Sequence, residues 1–419
     1  MKAGWKTVKL EEVCAIEFGE RVVRKNDAGT LYPVYGGGGA TFNIDRHNRE
    51  SCVVVSRFGM SERCVRFVEG KFFLNDSGLT VTSTSPEVSQ GYIDLLLHAK
   101  APEIYALGGG TAQKNLDTKS FRSLQIPLPP LVEQKQIVAL LDEAFAGIDE
   151  AKDRLTQEID QVNTVLQSKF NETFAQPPIT FEATRVDTTE STFSAKGRKA
   201  TSRNIAGSLS LCVGKPSSPA RSGWRWIELS SLAQLESGHT PSRAKPEYWN
   251  GNIPWISIRD AKKSHGKVIT DTEECITDLG VENSSARILP TNTVCLSRTA
   301  SVGYCTITGR PMATSQDFVN WVIKGDLHPS FLKFIFLAEG DQLLRFASGS
   351  VHQTIYYPET KAFAVCIPNL TEQVRIARHL EELTLAISQL RDKLTNKQVH
   401  LAKLKSSMLA EAFAGELTA

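Results

Sequence analysis

Two arginines occupy matched positions in the two halves of an internally repeated sequence. Four residues of the first half return in the second half at one constant spacing: Ser56, Arg57, Cys64 and Asp76 match Ser297, Arg298, Cys305 and Asp317. The two-pronged donors of arginine suit the edge of a guanine base, and they also suit a carboxylate such as Asp76 or Asp317. Two interpretations therefore stay open for Arg57 and Arg298: contact with a base, or support of the fold.

Amide side chains follow in both halves. Gln113 lies in the segment 110–114, and Gln353 lies in the segment 349–353. An amide can pair with the two adjacent polar groups of adenine, so both glutamines are candidate base contacts. The alternative for each segment is a turn capped by Thr111 or Ser350.

Basic side chains that could hold phosphates are spread over both halves. For any single one of them, an ordinary solvated charge is the alternative. Four glycines after Tyr35 could let the backbone approach a partner closely or form a flexible surface loop, and no Gly-Lys-Ser follows them as in a phosphate loop. The predicted DNA contacts are Lys25, Tyr35, Gly36, Gly37, Arg46, Arg49, Arg57, Thr111, Gln113, Lys114, Thr240, Arg243, Lys245, Arg259, Lys262, Lys263, Arg298, Ser350, His352 and Gln353.

Catalytic motifs are not found in the sequence. It has no Asn-Pro-Pro-Tyr or Asp-Pro-Pro-Tyr loop for amino methylation and no Walker lysine motif, and its eight histidines lack metal-ligand spacing. We expect no catalytic residue and no metal site. An enzyme with an unrecognised methyltransferase site remains an alternative.

Composition favours an ordinary globular protein with a local binding site. The 419 residues carry a formal net charge of only +2, so the whole chain is not a basic nucleic-acid coat. Its eight cysteines show no Cys-x-x-Cys spacing, which predicts reduced thiols of an intracellular protein. The amino terminus lacks the apolar core of a signal peptide, and no apolar run has membrane-spanning length. We therefore expect a cytoplasmic location.

A duplicated helical stretch must position these side chains. The run from Leu131 to Phe174 returns from Thr371 to Phe413, and the two copies align without a gap from Glu133 and from Glu372 onward. Apolar residues recur in each copy at alternating steps of four and three, which predicts long paired helices. The predicted seam consists of Ile137, Leu141, Ala144, Ile148, Ala151, Leu155, Val162 and Val165 in the first copy, and Ile376, Leu380, Leu383, Ile387, Leu390, Leu394, Leu401, Leu404 and Met408 in the second.

Glu158 and Lys397 interrupt this seam at matched positions. A pseudo-twofold axis between the duplicated halves turns one helix against the other, so we expect an antiparallel pair. In that arrangement Glu158 and Lys397 should lie near each other, where opposite charges can fix the register.

The predicted fold is α+β. Two diverged globular α/β regions, residues 1–131 and 223–370, are each followed by a long helix, residues 132–175 and 371–415, and the helices pair as an antiparallel coiled coil. Residues 176–222 are rich in Ser, Thr, Pro and Gly, which predicts a mobile or loosely packed linker.

The chain resembles the specificity subunits of Type I restriction–modification systems over nearly its whole length. The resemblance rests on the Pro-Leu-Pro-Pro-Leu-x-Glu-Gln motif at 127–134, Tyr35-Gly36-Gly37, Arg57-x-Gly59, Thr240-Pro241-Ser242, the Pro-Glu-Tyr-Trp…Ile-Pro-Trp run ending at Trp255, and the duplicated helix. One departure is that the second helix start, 367–373, lacks two residues of the proline motif, which leaves its turn geometry undetermined.

The resemblance implies a layout and a set of partners. Each globular region would be a target-recognition domain that reads one half of an asymmetric bipartite sequence in double-stranded DNA, and the helices would be the spacer. The helices would also dock adenine methyltransferase subunits, two in number, and restriction/translocase subunits would join them. This chain would carry no cofactor, while the partner subunits would use S-adenosylmethionine, ATP and Mg. A coiled-coil scaffold whose globular halves bind protein instead of DNA is the alternative.

Overall fold

The computed structural model describes residues 4–110, 113–181, 209–349 and 353–417. These residues form two compact units, Met1–Glu158 with Lys393–Ala419, and Ile159–Asp392. We call them unit 1 and unit 2. Three predicted site residues, Thr111, Ser350 and His352, and the central part of the predicted linker, 182–208, lie outside the described residues.

Unit 1 is built on a six-stranded sheet with the strand order β2-β7-β5-β6-β3-β4, in which only the β3–β6 pair is parallel. Strand β5 forms because Val53, Val54 and Val55 are β-branched, and all three are buried. The elements are β1 Lys6–Lys9, α1 Leu10–Val13, β2 Cys14–Phe18, α2 Arg24–Asp27, β3 Tyr32–Gly36, β4 Gly39–Ile44, β5 Arg49–Ser56, β6 Val65–Leu74, β7 Gly78–Ser83, α3 Gln90–Ala99, α4 Ala101–Ala106, β8 Gly108–Gly109, β9 Asn115–Leu116, α5 Thr118–Arg122, β10 Gln125–Leu128 and α6 Leu131–Phe174.

Unit 2 repeats the central part of this sheet. Its five-stranded sheet has the order β13-β20-β17-β18-β15, so β13-β20-β17-β18 corresponds to β2-β7-β5-β6. The prediction of diverged copies is confirmed at this level. The elements are β11 Leu211–Val213, β12 Arg225–Glu228, α7 Leu229–Leu232, β13 Ala233–Ser237, a 3-10 turn Pro246–Tyr248, β14 Trp249–Ile256, α8 Ile258–Lys263, β15 Val268–Ile269, β16 Glu274–Ile276, α9 Asp278–Glu282, β17 Val294–Ser297, β18 Cys305–Thr308, β19 Ala313–Thr314, β20 Phe318–Ile323, α10 Pro329–Glu339, a 3-10 helix Gly340–Phe346, α11 Tyr357–Lys361, β21 Phe363–Ile367 and α12 Leu370–Ala414.

The first turn of each long helix is fixed by a buried glutamine. The Gln134 side-chain carbonyl accepts from Ser89 N–H at 2.8 Å, and its amide donates to the carbonyl oxygens of Pro129 and Glu87 at 2.8 and 2.9 Å. Gln373 makes the same three bonds in unit 2, to His328 N–H and to the carbonyls of Pro368 and Asp326.

The two missing residues of the second proline motif leave this geometry unchanged. Helix α12 begins three residues before Gln373, just as α6 begins three residues before Gln134. The Asn369 side chain accepts from Glu372 N–H at 2.9 Å and so caps the first turn of α12.

The long helices are antiparallel where unit 1 contains both of them. The Gln398 amide donates to Thr156 Oγ1 at 2.9 Å, and the Lys405 ammonium lies 3.0 Å from the Asp149 carboxylate. From Gln398 to Lys405 the chain of α12 advances, while the contacted residue of α6 moves back from Thr156 to Asp149. This confirms the predicted antiparallel direction. Ile137, Leu141 and Leu394 are buried as the seam requires.

The seam prediction is wrong at three positions. Val165, Leu390 and Leu404 have 60%, 44% and 48% of their surface exposed. In α6 the buried face continues instead through Phe170 and Phe174 in the core of unit 2, with Leu166 packed against it. These residues recur in steps of four, so the apolar stripe leaves the alternating four-three spacing that was extended to Val165.

Glu158 and Lys397 line one groove of about 620 Å³ in unit 1, together with Gly147, Leu155 and Leu404. The prediction that they lie near each other is confirmed. No ion pair within 4.0 Å joins them in the part of the chain that the structure describes. Gly147 has no side chain and Leu404 has 48% of its surface exposed, so side chains do not fill this stretch of the seam.

The linker prediction for 176–222 is wrong at its carboxyl-terminal end. Leu211–Val213 forms β11, which pairs antiparallel with β21 in the three-stranded sheet β11-β21-β12. Arg345 donates to the Leu211 carbonyl at 3.3 Å, and Ser210 Oγ donates to the Phe174 carbonyl at 2.9 Å. A strand of three residues between Ser and Gly is too short to show a period of two, so the sequence did not reveal it.

All eight cysteines are free thiols. Within the described ranges, no helix is both long and apolar enough to cross a membrane, and no group of three or more His, Cys, Asp or Glu side chains has the arrangement of a metal site.

Candidate nucleic-acid interface

In unit 1 the loop after β5 carries Arg57 and is hydrogen-bonded to the segment that carries Gln113. Leu116 N–H donates to the Arg57 carbonyl at 2.8 Å, and Met60 N–H donates to the Lys114 carbonyl at 2.9 Å. Gln113 is exposed, and its amide nitrogen lies 2.9 Å from where a Cβ on Gly59 would be. Two predicted contacts that are far apart in the sequence therefore share one edge of the unit.

The Arg57 side chain rests on aromatic rings. Its guanidinium lies 4.7 Å from the ring centre of Phe18 and 4.5 Å from that of Phe58, and both rings are 37% exposed. Its Nη1 donates to the backbone carbonyl of Asp76 at 3.5 Å. No ion pair with the Asp76 carboxylate is formed within the described residues, so the alternative of a carboxylate pair is wrong for Arg57.

Unit 2 contains the same edge. Ile355 N–H donates to the Arg298 carbonyl at 2.8 Å, and the hydroxyls of Thr299 and Thr354 are 2.8 Å apart. Gln353, which is exposed, directly precedes Thr354. The arginine loop and the glutamine segment are thus brought together in both copies.

The Arg298 side chain is held differently from that of Arg57. Its Nη2 donates to the Gln316 carbonyl at 3.2 Å, and its Nε is buried with no hydrogen-bond partner among the described residues. Burial lowers the pKa of Arg298, and the negative charges of Asp317 and Tyr356 oppose that shift. Arg298 supports the loop that carries Gln316, as the second interpretation predicted, but through a backbone carbonyl.

Thr240 and Gln316 form a pair at this edge. The Thr240 hydroxyl donates to the side-chain carbonyl of Gln316, which is exposed. Gln316 is a functional candidate that the sequence analysis missed. The signal was present, because Gln316 directly precedes Asp317, the match of Asp76.

The glycine run after Tyr35 has a structural role that neither interpretation anticipated. Gly36 and Gly37 are buried, and a Cβ on Gly37 would lie 2.3 Å from the Phe58 carbonyl oxygen. Ser56 Oγ donates to the Gly37 carbonyl at 2.8 Å. The Tyr35 ring packs edge-on against Phe72, with ring centres 5.4 Å apart. The glycine run therefore packs against the loop that carries Arg57 and supports it.

Several predicted phosphate contacts are engaged within their own unit. Arg49 lies 3.2 Å from the Glu17 carboxylate, and Arg243 binds both carboxylate oxygens of Glu274 and lies over the Trp249 ring at 3.7 Å. The other engaged cations are Arg46 with Asp27, Lys114 over the Tyr105 ring, Lys245 with the Tyr248 hydroxyl, and Arg259 and Lys263 with Glu273.

Lys25 and Lys262 are exposed and have no ion-pair partner within the described ranges, so they are available to an anion. Two further arginines near the Arg57 edge were missed from the sequence. Arg122 lies 6.0 Å from the Phe18 ring, and Arg66 donates to Ser56 Oγ at 3.3 Å. Both arginines are placed near this edge by contacts with residues distant in the sequence, and the spacing of residues along the chain does not reveal such contacts.

Comparison with known proteins places the chain among DNA specificity components. A family model described as the Type I restriction modification DNA specificity domain matches residues 2–161 and 221–397. The MjaIX specificity subunit of Methanocaldococcus jannaschii is 30% identical over 156 residues, which cover 37% of this chain and 36% of that protein. The EcoDI specificity subunit of Escherichia coli is 22% identical over 422 residues, which cover 99% of this chain and 89% of that protein.

A solved chain from work on complex assembly and conformational transition of the type I R-M system has the same fold. It superimposes with a TM-score of 0.70 at 16% identity, and the match covers 99% of both chains.

Proposed function

This chain belongs to the family of Type I restriction–modification DNA specificity subunits, and from that membership we propose that it reads an asymmetric bipartite sequence in double-stranded DNA without catalysing a reaction itself. Each globular half reads one half-site, and the helix pair separates the two. The observation that supports this proposal most strongly is the duplicated edge. In both units, backbone hydrogen bonds join an arginine loop to a glutamine segment.

The chemistry of these edges suits base contact better than phosphate contact. Arginine and amide groups give directional donors and acceptors that match the major-groove edges of guanine and adenine. A nonspecific phosphate site would instead gather unpaired cations. Of the predicted cations, most are already paired within their unit, while Lys25 and Lys262 can position the backbone.

The partners follow from the same proposal. The helix pair scaffolds adenine methyltransferase subunits and restriction/translocase subunits, and those subunits use S-adenosylmethionine, ATP and Mg. The open groove lined by Glu158 and Lys397 shows that part of the helix pair is not filled by its own side chains. A complex that acts on chromosomal and incoming DNA works in the cytoplasm.

The proposal is tested by binding as a function of salt. The full chain, purified in complex with its methyltransferase subunits, is titrated onto DNA fragments that contain the methylated motif or a scrambled motif. We expect tight binding to the motif alone, with an affinity that falls linearly with salt on logarithmic axes. Equal binding to both fragments, or no binding to either, would favour a protein-binding scaffold. Methyl transfer by the isolated chain would show an enzyme.

A further inference from the structure

We propose that the two recognition edges present different base-reading groups: Arg57 reads a guanine in one half-site, and Gln316 reads an adenine in the other. This inference rests on the proposed function and adds the residues that distinguish the half-sites. The observation behind it is that, of two matched positions, a different one provides the available polar side chain in each unit. Arg57 and Asn75 in unit 1 match Arg298 and Gln316 in unit 2. In unit 1 the arginine keeps polar groups available for a base, and in unit 2 the amide does.

In unit 1 most N–H donors of Arg57 are available for a base. A guanidinium has five N–H donors that lie in its plane. The Arg57 guanidinium carbon lies 4.7 Å from the ring centre of Phe18 and 4.5 Å from that of Phe58, and within the described residues only one of its donors has an acceptor, at 3.5 Å. Contact with the two rings restricts the side chain while most of its donors stay available, and available donors are what bidentate binding to guanine O6 and N7 requires.

The amide at the other matched position of unit 1 is occupied. The Asn75 side-chain carbonyl accepts from both Ser77 N–H, at 2.9 Å, and Ser77 Oγ, at 2.5 Å. Asn75 is only partly exposed and shapes the turn between β6 and β7. It is therefore a structural residue.

In unit 2 the roles are exchanged. The Nε of Arg298 is buried without a partner among the described residues, and its Nη2 donates to the Gln316 carbonyl. The Gln316 side chain is exposed, and the hydroxyl of Thr240 orients it by donating to its oxygen. The Gln316 amide nitrogen keeps both donors, and its oxygen keeps a second lone pair. One donor and one acceptor side by side match adenine N7 and N6.

The experiment uses the complex of the full chain with its methyltransferase subunits, after its methylated motif has been mapped. Each purine of the motif is replaced in turn by its 7-deaza analogue, which removes the N7 acceptor and keeps base pairing. We expect one 7-deazaguanine in one half-site and one 7-deazaadenine in the other to weaken binding. Arg57→Met removes every donor and should abolish the sensitivity to that guanine alone, and Gln316→Met should abolish the sensitivity to that adenine alone.

The expected size is a loss of discrimination of about 5- to 150-fold at each position, which corresponds to one bidentate base contact. Arg57→Met also removes a charge, so base contact is shown by losing the effect of that one guanine analogue and not by a uniform fall in affinity. Lys262→Ala is the comparator for a phosphate contact, and it should weaken binding to all duplexes by a similar factor while leaving both analogue effects in place. Thermal midpoints confirm that each variant is folded.

Three results would overturn the inference. They are a motif in which no purine N7 matters in one of the half-sites, an Arg57→Met complex that still senses the guanine analogue, and a Gln316→Met complex that still senses the adenine analogue. The analogue scan on the unmodified complex gives an answer even if a variant does not fold. Failure of the proposed function looks different, because the unmodified complex would then bind no motif at all.

Discussion

Gln134 and Gln373 show that a short motif can be recognised from the sequence before its role is known. The Glu-Gln pair at each helix start is plain in the sequence, yet only the structure reveals that the glutamine joins three backbone groups. The buried amide satisfies polar groups of the loop before α3, in unit 1, and so fixes how α6 leaves the globular half.

Gln134→Ala should lower the free energy of unfolding of unit 1 by about 2–4 kcal/mol, because it removes the partner of the buried Pro129 carbonyl and of the backbone groups at Ser89 and Glu87. The neighbouring Gln136 is exposed, so Gln136→Ala is the matched control and should change stability by less than about 0.5 kcal/mol. Urea denaturation of both variants gives the comparison. Equal midpoints would show that the glutamine does not hold the helix start.

His265, an exposed residue whose ring accepts a partly buried hydrogen bond, predicts pH dependence in unit 2. Cys305 N–H donates to His265 Nδ1 at 3.1 Å, and burial lowers the pKa of His265 below its usual 6.5. The unfolded state therefore binds the proton more readily. The stability contributed by neutral His265 is complete above pH 6.5 and is lost as the pH falls from 6.5 through the lower folded-state pKa.

We expect thermal midpoints to decrease between pH 7.5 and pH 5, and to decrease less in His265→Gln. The exposed His379 supplies the control, since His379→Gln should follow the unmodified protein. A pH profile that is the same for His265→Gln and the unmodified protein would remove His265 as a cause.

At the scale of elements, the small sheets at the helix starts explain why the copies differ. Cys366 N–H donates to the Ser210 carbonyl at 2.9 Å, which fastens β11 to β21. Pro127 holds the matching place in unit 1 and has no N–H, and its carbonyl accepts from the Tyr92 hydroxyl at 2.8 Å. The unit 1 sheet therefore has two strands, and that of unit 2 has three.

Cys366→Pro should loosen β11 and lower the stability of unit 2 by about 1–3 kcal/mol, the cost of a buried carbonyl left without its donor. Cys366→Ala keeps the N–H and controls for loss of the thiol. Hydrogen exchange at residues 211–213 reads the effect directly, and the exchange should accelerate in the proline variant only. Unchanged protection would mean that β11 is held by its side chains.

The sequence predicted the elements that have a strong period and missed those that depend on context. Both long helices begin and end within one residue of their predicted bounds, because about 40 residues of apolar repeat leave little ambiguity. Strand β11 and the Thr240–Gln316 pair were not predicted, since each depends on a partner distant in the chain. Arg57 was predicted as a site residue, but its aromatic support was not.

For the whole molecule, the proposed spacer role of the helices predicts a dependence on their length. Inserting seven residues after Leu155 and seven after Leu394 keeps the heptad phase and adds roughly 10 Å to each helix. That length corresponds to about three base pairs, over which DNA turns by nearly a third of a revolution. The altered protein should lose affinity for the original gap, and a longer gap should rescue it only in part.

Binding to a series of DNA duplexes with increasing gap lengths measures this dependence. A duplex without the motif gives the nonspecific background. If the lengthened protein binds the original gap as tightly as the unmodified protein does, the helices do not set the distance between the half-sites.

The central claim is that two diverged domains in one chain read two different half-sites. The most direct test is to treat unmethylated genomic DNA with the complex of this chain and its methyltransferase subunits, and to map every methylated adenine by single-molecule sequencing. We expect one asymmetric motif, with two unlike half-sites separated by an unread gap of fixed length. A palindromic or continuous motif, or the same methylation without this chain, would contradict it.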